Sequence, residues 1–186
     1  IGWQALEFAY RHVPGLARPL AGTPAWTLIL ELSAGAADEA IAERLETILA
    51  QALEQGLASD AVVAQNEQQA ASFWKLRESI VWAQRPEGAS LKHDIAVPVA
   101  AVPTFLAQAL PLVARLVPGI RPVPFGHVGD GNLHFNLTRP EGMADAAFLQ
   151  QGERVHHAVH DLVRGLGGSI SAEHGIGRIK VAENLR

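Results

Sequence analysis

The sequence predicts an α+β fold: a ferredoxin-like antiparallel sheet with helices packed on one face, extended by an N-terminal strand–helix–strand unit. Three observations carry that expectation. Hydrophobic residues make up 48% of the 186 residues and charged residues 18%, which supplies a core and is too little charge for disorder. From Leu91 onward the apolar period switches between two and 3.6 in the order strand, helix, strand, strand, helix, strand. Asp130-Gly131 also sits between two alternating runs, a strong hairpin signal.

Taken in order, Trp26–Leu32 (WTLILEL) is a continuous apolar run of strand length. Asp38–Gln55 is a helix, with Ile41, Leu45, Ile48, Leu49, Ala52 and Leu53 at helical spacing, Asp38 and Glu39 in its first turn and Gly56 past its end. Asp60–Ala64 is a short strand candidate, and Asn66–Gln84 a second helix stopped by Arg85-Pro86 and Gly88. Leu91–Val99 alternates, with Leu91, His93, Ile95, Val97 and Val99 on one face and Lys92, Asp94 and Ala96 on the other. Val102–Leu116 is helical and ends at Pro118-Gly119. Strands Arg121–His127 and Asn132–Thr138 flank the glycine-rich turn. Asp145–Leu166 reads as one long helix with Phe148, Val155, Val159, Leu162 and Leu166 along one side, and Ser169–Ala172 as a last short strand.

Composition narrows the function. Net charge is −4, the basic residues are scattered and aromatics amount to 6%, so no nucleic-acid surface is expected. Cysteine is absent, which excludes disulfides, thiolate metal sites and cysteine nucleophiles. No apolar run of the roughly 18–20 residues that cross a bilayer is apparent, so no transmembrane segment is expected. With Ile1 first and Met143 the only methionine, the chain is expected to be a piece of a longer protein.

The densest chemistry lies in Phe125–Asn136. A two-residue turn centred on Asp130-Gly131 places His127 directly opposite His134, with Cβ atoms roughly 4.5–5.5 Å apart. Alternation puts Asn132 and Asn136 on that face and Leu133, Phe135 and Leu137 on the other. Two facing imidazoles suit Zn²⁺ or a similar divalent ion, which needs a third ligand and keeps an open position if catalytic. Glu173-His174 follow the last strand of the same sheet, so Glu173 can complete a His127/His134/Glu173 metal site and leave His174 as a base. The neighbouring glycines allow a ligand or cofactor ring close to the backbone. The bland reading is a charged turn before a surface helix.

Arg77 falls within the helical arc of Ala70, Phe73, Trp74, Ile80 and Val81. An arginine there needs an anion, such as a substrate carboxylate held by two hydrogen bonds, an internal acid (Glu78 or Asp94), or a route for its head to water. Lys92, beside Asp94, reads as a surface ion pair on its own. His156, His157 and His160 read as solvated helix face, because His157 and His160 fall with Glu153 opposite the apolar stripe. The Gly-x-Gly patterns at Gly129/Gly131 and Gly175/Gly177 do not fit a dinucleotide fingerprint.

Pro124–Asn136 (PFGHVGDGNLHFN) and Ser171–Gly177 (SAEHGIG) together resemble the C-terminal domain of FAD-linked oxidases, a family that includes D-lactate dehydrogenases, glycolate oxidase subunits and D-2-hydroxyglutarate dehydrogenases. Phe73–Glu78 (FWKLRE) and Leu91–Pro98 (LKHDIAVP) also match, the latter looking most like the 2-hydroxyglutarate branch. The resemblance implies a substrate domain covering the flavin of a separate N-terminal domain that binds most of the FAD. It implies His127, His134 and Glu173 as metal ligands, His174 as catalytic base, Arg77, Lys92 and Asn136 as substrate contacts, and Asn132 and Gly175 as cofactor contacts. A threonine tends to follow the arginine by one turn in the 2-hydroxyglutarate branch; here Val81 stands there, which weakens the case for a second substrate carboxylate. The expected activity is oxidation of a D-2-hydroxy acid to the 2-oxo acid with hydride transfer to FAD, the 186-residue segment being inactive alone. Expected partners are the small 2-hydroxy acid and a downstream electron acceptor, with a homodimer left open. The expected location is cytoplasmic, with peripheral membrane attachment through the acceptor as its variant. A metal-dependent hydrolase and a non-catalytic effector-binding module are the alternatives.

Overall fold

The computed structural model describes residues 1–34 and 40–176. Its helices are α1 (Trp3–His12), α2 (Ile41–Glu54), α3 (Glu67–Ala83), α4 (Val102–Leu116), α5 (Asp145–Leu149) and α6 (Gly152–Gly165). Its strands are β1 (Ser90–Leu91), β2 (Asp94–Ala96), β3 (Arg121–His127) and β4 (Asn132–Thr138).

β1 and β2 pair with one edge of β4 in a single unbroken antiparallel register, and β3 pairs with the other. Ser169 forms a bridge on the far side of β2, exchanging both backbone hydrogen bonds with Ala96 (2.8 and 2.9 Å). Across the sheet the order is therefore Ser169, β1–β2, β4, β3, which is the ferredoxin-like arrangement. The last strand is reduced to that bridge. β3 is an edge strand, as Pro122 and Pro124 require. The Gly2 backbone N–H donates to the Pro124 carbonyl (2.8 Å) and covers part of the edge.

Period-two alternation gives the sheet two different faces. Leu91, Ile95, Val97, Leu133, Phe135 and Leu137 pack against Phe105, Ala109 and Val113 of α4 and Val155, Val159 and Val163 of α6. This is the helical layer that the strand–helix order predicts. The opposite face is also covered: Val123 and Phe125 of β3 pack against Ala5, Leu6, Phe8 and Ala9 of α1 and Leu76, Ile80 and Ala83 of α3. Buried Glu87 ties this second layer down, its carboxylate accepting from Arg11 (2.8 Å) and Arg121 and lying 2.6 Å from His12 Nε2.

The N-terminal unit differs from expectation. Trp26–Leu32 makes a single bridge, Trp26 with Gly2, and Leu28 is 72% exposed: its apolar side chains find no sheet to pack on. Asp60–Ala64 is likewise not a strand. α2 forms where its apolar period lies, but none of its residues is buried; Asp38 and Glu39, expected in its first turn, lie outside the described residues. α1 is an element the sequence reading passed over. Val99 leaves the strand for a short 3₁₀ turn and is half exposed rather than core-facing. The long helix expected over Asp145–Leu166 is broken between Leu149 and Gly152. Val99–Leu116 has a mean hydropathy of 1.5 over 18 residues, the length of a span after all, yet Val102, Phe105, Ala109 and Val113 are spent on the core.

Candidate functional site

The polar face of the sheet collects the functional side chains. β2 contributes Asp94, β4 contributes Asn132, His134 and Asn136, and β3 contributes Phe125 and His127. Each is two residues from the next on its strand and so shares the face. The segment after the Ser169 bridge brings Glu173 and His174 over this row, and α3 brings Arg77.

The hairpin register differs from the expected one by two residues. His127 pairs with Asn132, and His134 pairs with Phe125. The connection is a four-residue Val128–Gly131 turn, three residues of 3₁₀ helix closed by Gly131 in the left-handed region (φ 77°, ψ 6°), not a two-residue Asp-Gly turn. A one-residue slip would have put the two histidines on opposite faces; a two-residue shift keeps them together but makes them diagonal neighbours.

Glu173 spans that diagonal. Its Oε1 lies 3.4 Å from His127 Nδ1 and its Oε2 3.8 Å from His134 Nε2. These separations are long for hydrogen bonds; each carboxylate oxygen meets a different imidazole, while Asp94, His134 and His174 offer ligand atoms that all lie within 4.8 Å of one another. The donor set, two imidazoles and a carboxylate, suits Zn²⁺ or a similar ion. The other nitrogen of His134, Nδ1, faces Asp94 Oδ1 at 3.5 Å, and that buried oxygen has no hydrogen-bond partner among the described residues. A carboxylate behind a ligating imidazole is the usual way its tautomer and ring orientation are set. Burial pushes the His134 imidazolium pKa down, outweighing the attraction of Glu173 and Asp94, so the neutral, ligand-competent ring is favoured.

Asp94 is a candidate site residue that the sequence reading passed over; it appeared there only as an ion-pair partner. Its Oδ2 accepts the backbone N–H of Glu173 and of His174, both at 2.9 Å, and its carbonyl accepts from Ala172 at 3.2 Å. Burial works against its charge, but the two backbone bonds and the nearby histidines hold its carboxyl below the usual range. A useful signal was available: an acid in the middle of a short strand, on the same face as the histidines.

His174 is exposed, its ring 6.3 Å from that of His134. Arg77 lies with its guanidinium 4.8 Å from the Phe125 ring centroid, a cation–π contact that fixes its plane beside the histidine row. Desolvation lowers its pKa, with Glu173 and Glu78 acting in the other sense. The apolar arc drawn around it is only partly core: Ile80 is buried while Trp74 and Val81 are exposed. Lys92 is exposed, on the Asp94 side of its strand, and Asn136 is buried with its Nδ2 donating to Gln84 Oε1 (2.9 Å). Asn132 is buried and its Oδ1 has no hydrogen-bond partner among the described residues. Gly175 has φ +66°, and a Cβ there would meet nothing within 4 Å among the described residues. Gly177 and the helix expected after it lie outside the described residues.

The solvated-face reading of the α6 histidines is overturned. His160 is 1% exposed and His156 half-buried, because the buried stripe runs through Gly152, Val155, Val159 and Val163, turned toward the histidines relative to a stripe through Leu162 and Leu166.

Comparisons with known proteins agree with the geometry. The chain is 37% identical over 177 residues to a D-2-hydroxyglutarate dehydrogenase of Xanthomonas citri pv. viticola, covering 95% of this chain and 36% of that protein. It is 33% identical over 179 residues to a mitochondrial D-2-hydroxyglutarate dehydrogenase of Arabidopsis thaliana (96% and 30%) and 41% identical over 141 residues to one of Stutzerimonas stutzeri (74% and 30%). The chain thus spans about a third of the length of these relatives. The sequence model of "FAD linked oxidases, C-terminal domain" matches residues 4–186, and on that match the chain belongs to this family.

Proposed function

We propose that the protein carrying this chain oxidises a D-2-hydroxy acid to the corresponding 2-oxo acid, with FAD as hydride acceptor and a downstream electron acceptor. The observation that carries the reading is the gathering of His127, His134, Glu173, His174 and Arg77 on one sheet face, one Glu173 oxygen lying 3.4 Å from His127 Nδ1 and the other 3.8 Å from His134 Nε2. Relatives named D-2-hydroxyglutarate dehydrogenase support it and make D-2-hydroxyglutarate the first substrate to try.

His127, His134 and Glu173 would hold a divalent ion, whose chemistry is to draw electron density from the substrate oxygens. FAD supplies the two-electron redox chemistry, with Asn132 and Gly175 as the contacts from this chain. Arg77 holds the substrate carboxylate with its planar fork, and Lys92 and Asn136 flank it. His174 takes the hydroxyl proton as the C–H hydride leaves. Asp94 keeps the base and the Glu173 carboxylate in register by gripping their backbone.

The test is full-length protein mixed anaerobically with D- and L-2-hydroxy acids while the flavin absorbance is followed. D-2-hydroxy acids are expected to bleach it and L-isomers to leave it unchanged. A full-length protein that holds flavin and is reduced by none of the D-acids overturns the reading.

A further inference from the structure

We propose that His93, His156 and His160 form a second metal site that binds a divalent transition ion of the Zn²⁺ or Co²⁺ type through three imidazole nitrogens. The trio lies on the core side of the sheet, directly behind the candidate active site, and shares no residue with it. Each ring offers a nitrogen, and the three nitrogens lie within 4.8 Å of one another.

The surroundings prepare the rings as ligands. His93 is fully buried, and its Nδ1 lies 2.9 Å from the Phe135 carbonyl. A carbonyl only accepts, so Nδ1 carries the proton and Nε2 presents its lone pair. This is the partner that fixes the tautomer of a metal-bound histidine. His156 and His160 are four residues apart on α6, hence on one helix face, the spacing by which a helix presents two imidazoles to one ion. Ring centroids of His156 and His160 lie 4.7 and 5.6 Å from that of His93.

His156 Nδ1 lies 2.9 Å from His93 Nε2, so without an ion a proton occupies the space between them. Metal binding replaces that proton and opens the pair by roughly 0.5 Å, to the spacing of two donors on a tetrahedral ion. An ion here would clip the residue just before β2 to α6, and β2 carries Asp94 on the other side of the sheet.

The experiment titrates chelator-treated full-length protein with Co²⁺ alone, following d–d absorbance and bound metal per chain, for wild type, His156→Gln and Glu173→Gln. The proposal expects His156→Gln to weaken one Co²⁺ equivalent by about 100-fold or more while Glu173→Gln retains it. An identical isotherm for wild type and a folded His156→Gln overturns it. Loss of Co²⁺ only in Glu173→Gln would leave the first site standing and this one refuted; the converse would do the reverse. Should His156→Gln not fold, ring ¹⁵N signals of His93, His156 and His160 in wild type decide the matter. Zn²⁺ is expected to shift all three, and unshifted signals overturn the proposal.

Discussion

The two oxygens of Asp94 face different partners, and that division links the imidazole row to the segment that passes over it. Oδ1 stands behind His134, while Oδ2 holds the amides of Glu173 and His174. Asp94→Asn keeps the size and removes the charge, so it is expected to weaken Zn²⁺ binding by about 10–100-fold, read by competition with a chromophoric chelator. Acidification acts through the same residues. The Asp94 pKa is lower folded than unfolded, so its stabilisation is complete above about pH 4 and is lost as the pH falls through the folded value. His134 is also lowered; below about pH 6.5 the unfolded chain takes up this proton before the fold does, which again favours unfolding. Melting temperature is therefore expected to fall as the pH drops from 7 to 4 through His134, and the further fall below about pH 4 to be smaller in Asp94→Asn. Arg77→Lys keeps the charge and loses the fork and the stacking on Phe125. Steady-state kinetics on the full-length enzyme are expected to show a kcat/KM loss of about 2–4 kcal/mol at nearly unchanged melting temperature. A variant that melts lower yet keeps kcat/KM would make Arg77 a purely structural residue.

Elements with a clean period were legible in the sequence. α3, α4, β3 and β4 lie where the pattern puts them, within a residue at each end, because in each a buried stripe or row enforces the period. The failures share a cause: apolar spacing reports what could be buried, not what finds a partner. Trp26–Leu32 is apolar without a sheet, and α2 is amphipathic without a buried residue. The hairpin turn was misjudged because Asp-Gly signals a tight turn, whereas here Gly131 ends a 3₁₀ turn pressed on the next strand. A Cβ on Gly131 would lie 2.0 Å from the Val97 carbonyl oxygen, and its φ is +77°. Gly131→Ala is thus expected to cost at least about 1–3 kcal/mol in urea unfolding and to disturb the His127–Asn132 pairing. Gly129, with open space around it, is the control: Gly129→Ala is expected to change stability much less.

Over the whole molecule, the sheet separates two chemistries within one thickness of backbone. One face carries the core and the three-histidine cluster; the other carries the candidate active site, bordered by α1 and α3. The second layer was hidden from pattern reading because α1 precedes the first strong signal and its partner β3 lies more than a hundred residues away. The sequence of 186 residues shows no phosphate-loop motif, and the chain spans about a third of its relatives. Calorimetric titration of the chain alone with FAD is expected to show weak binding or none; tight stoichiometric binding would move the flavin site onto this chain.

Strand β4 alternates Asn132, His134 and Asn136 with Leu133, Phe135 and Leu137, one set for each face. That interleaving constrains how the segment can vary over evolutionary time. Exchanging one residue alters a single face, but inserting or deleting one residue inside the strand drives leucines into the polar row and a histidine into the oil. Changes in length should therefore be purged between residues 132 and 138 and tolerated in the exposed turn at Glu141-Gly142, so that an indel map of the gene would trace the strand without any coordinates.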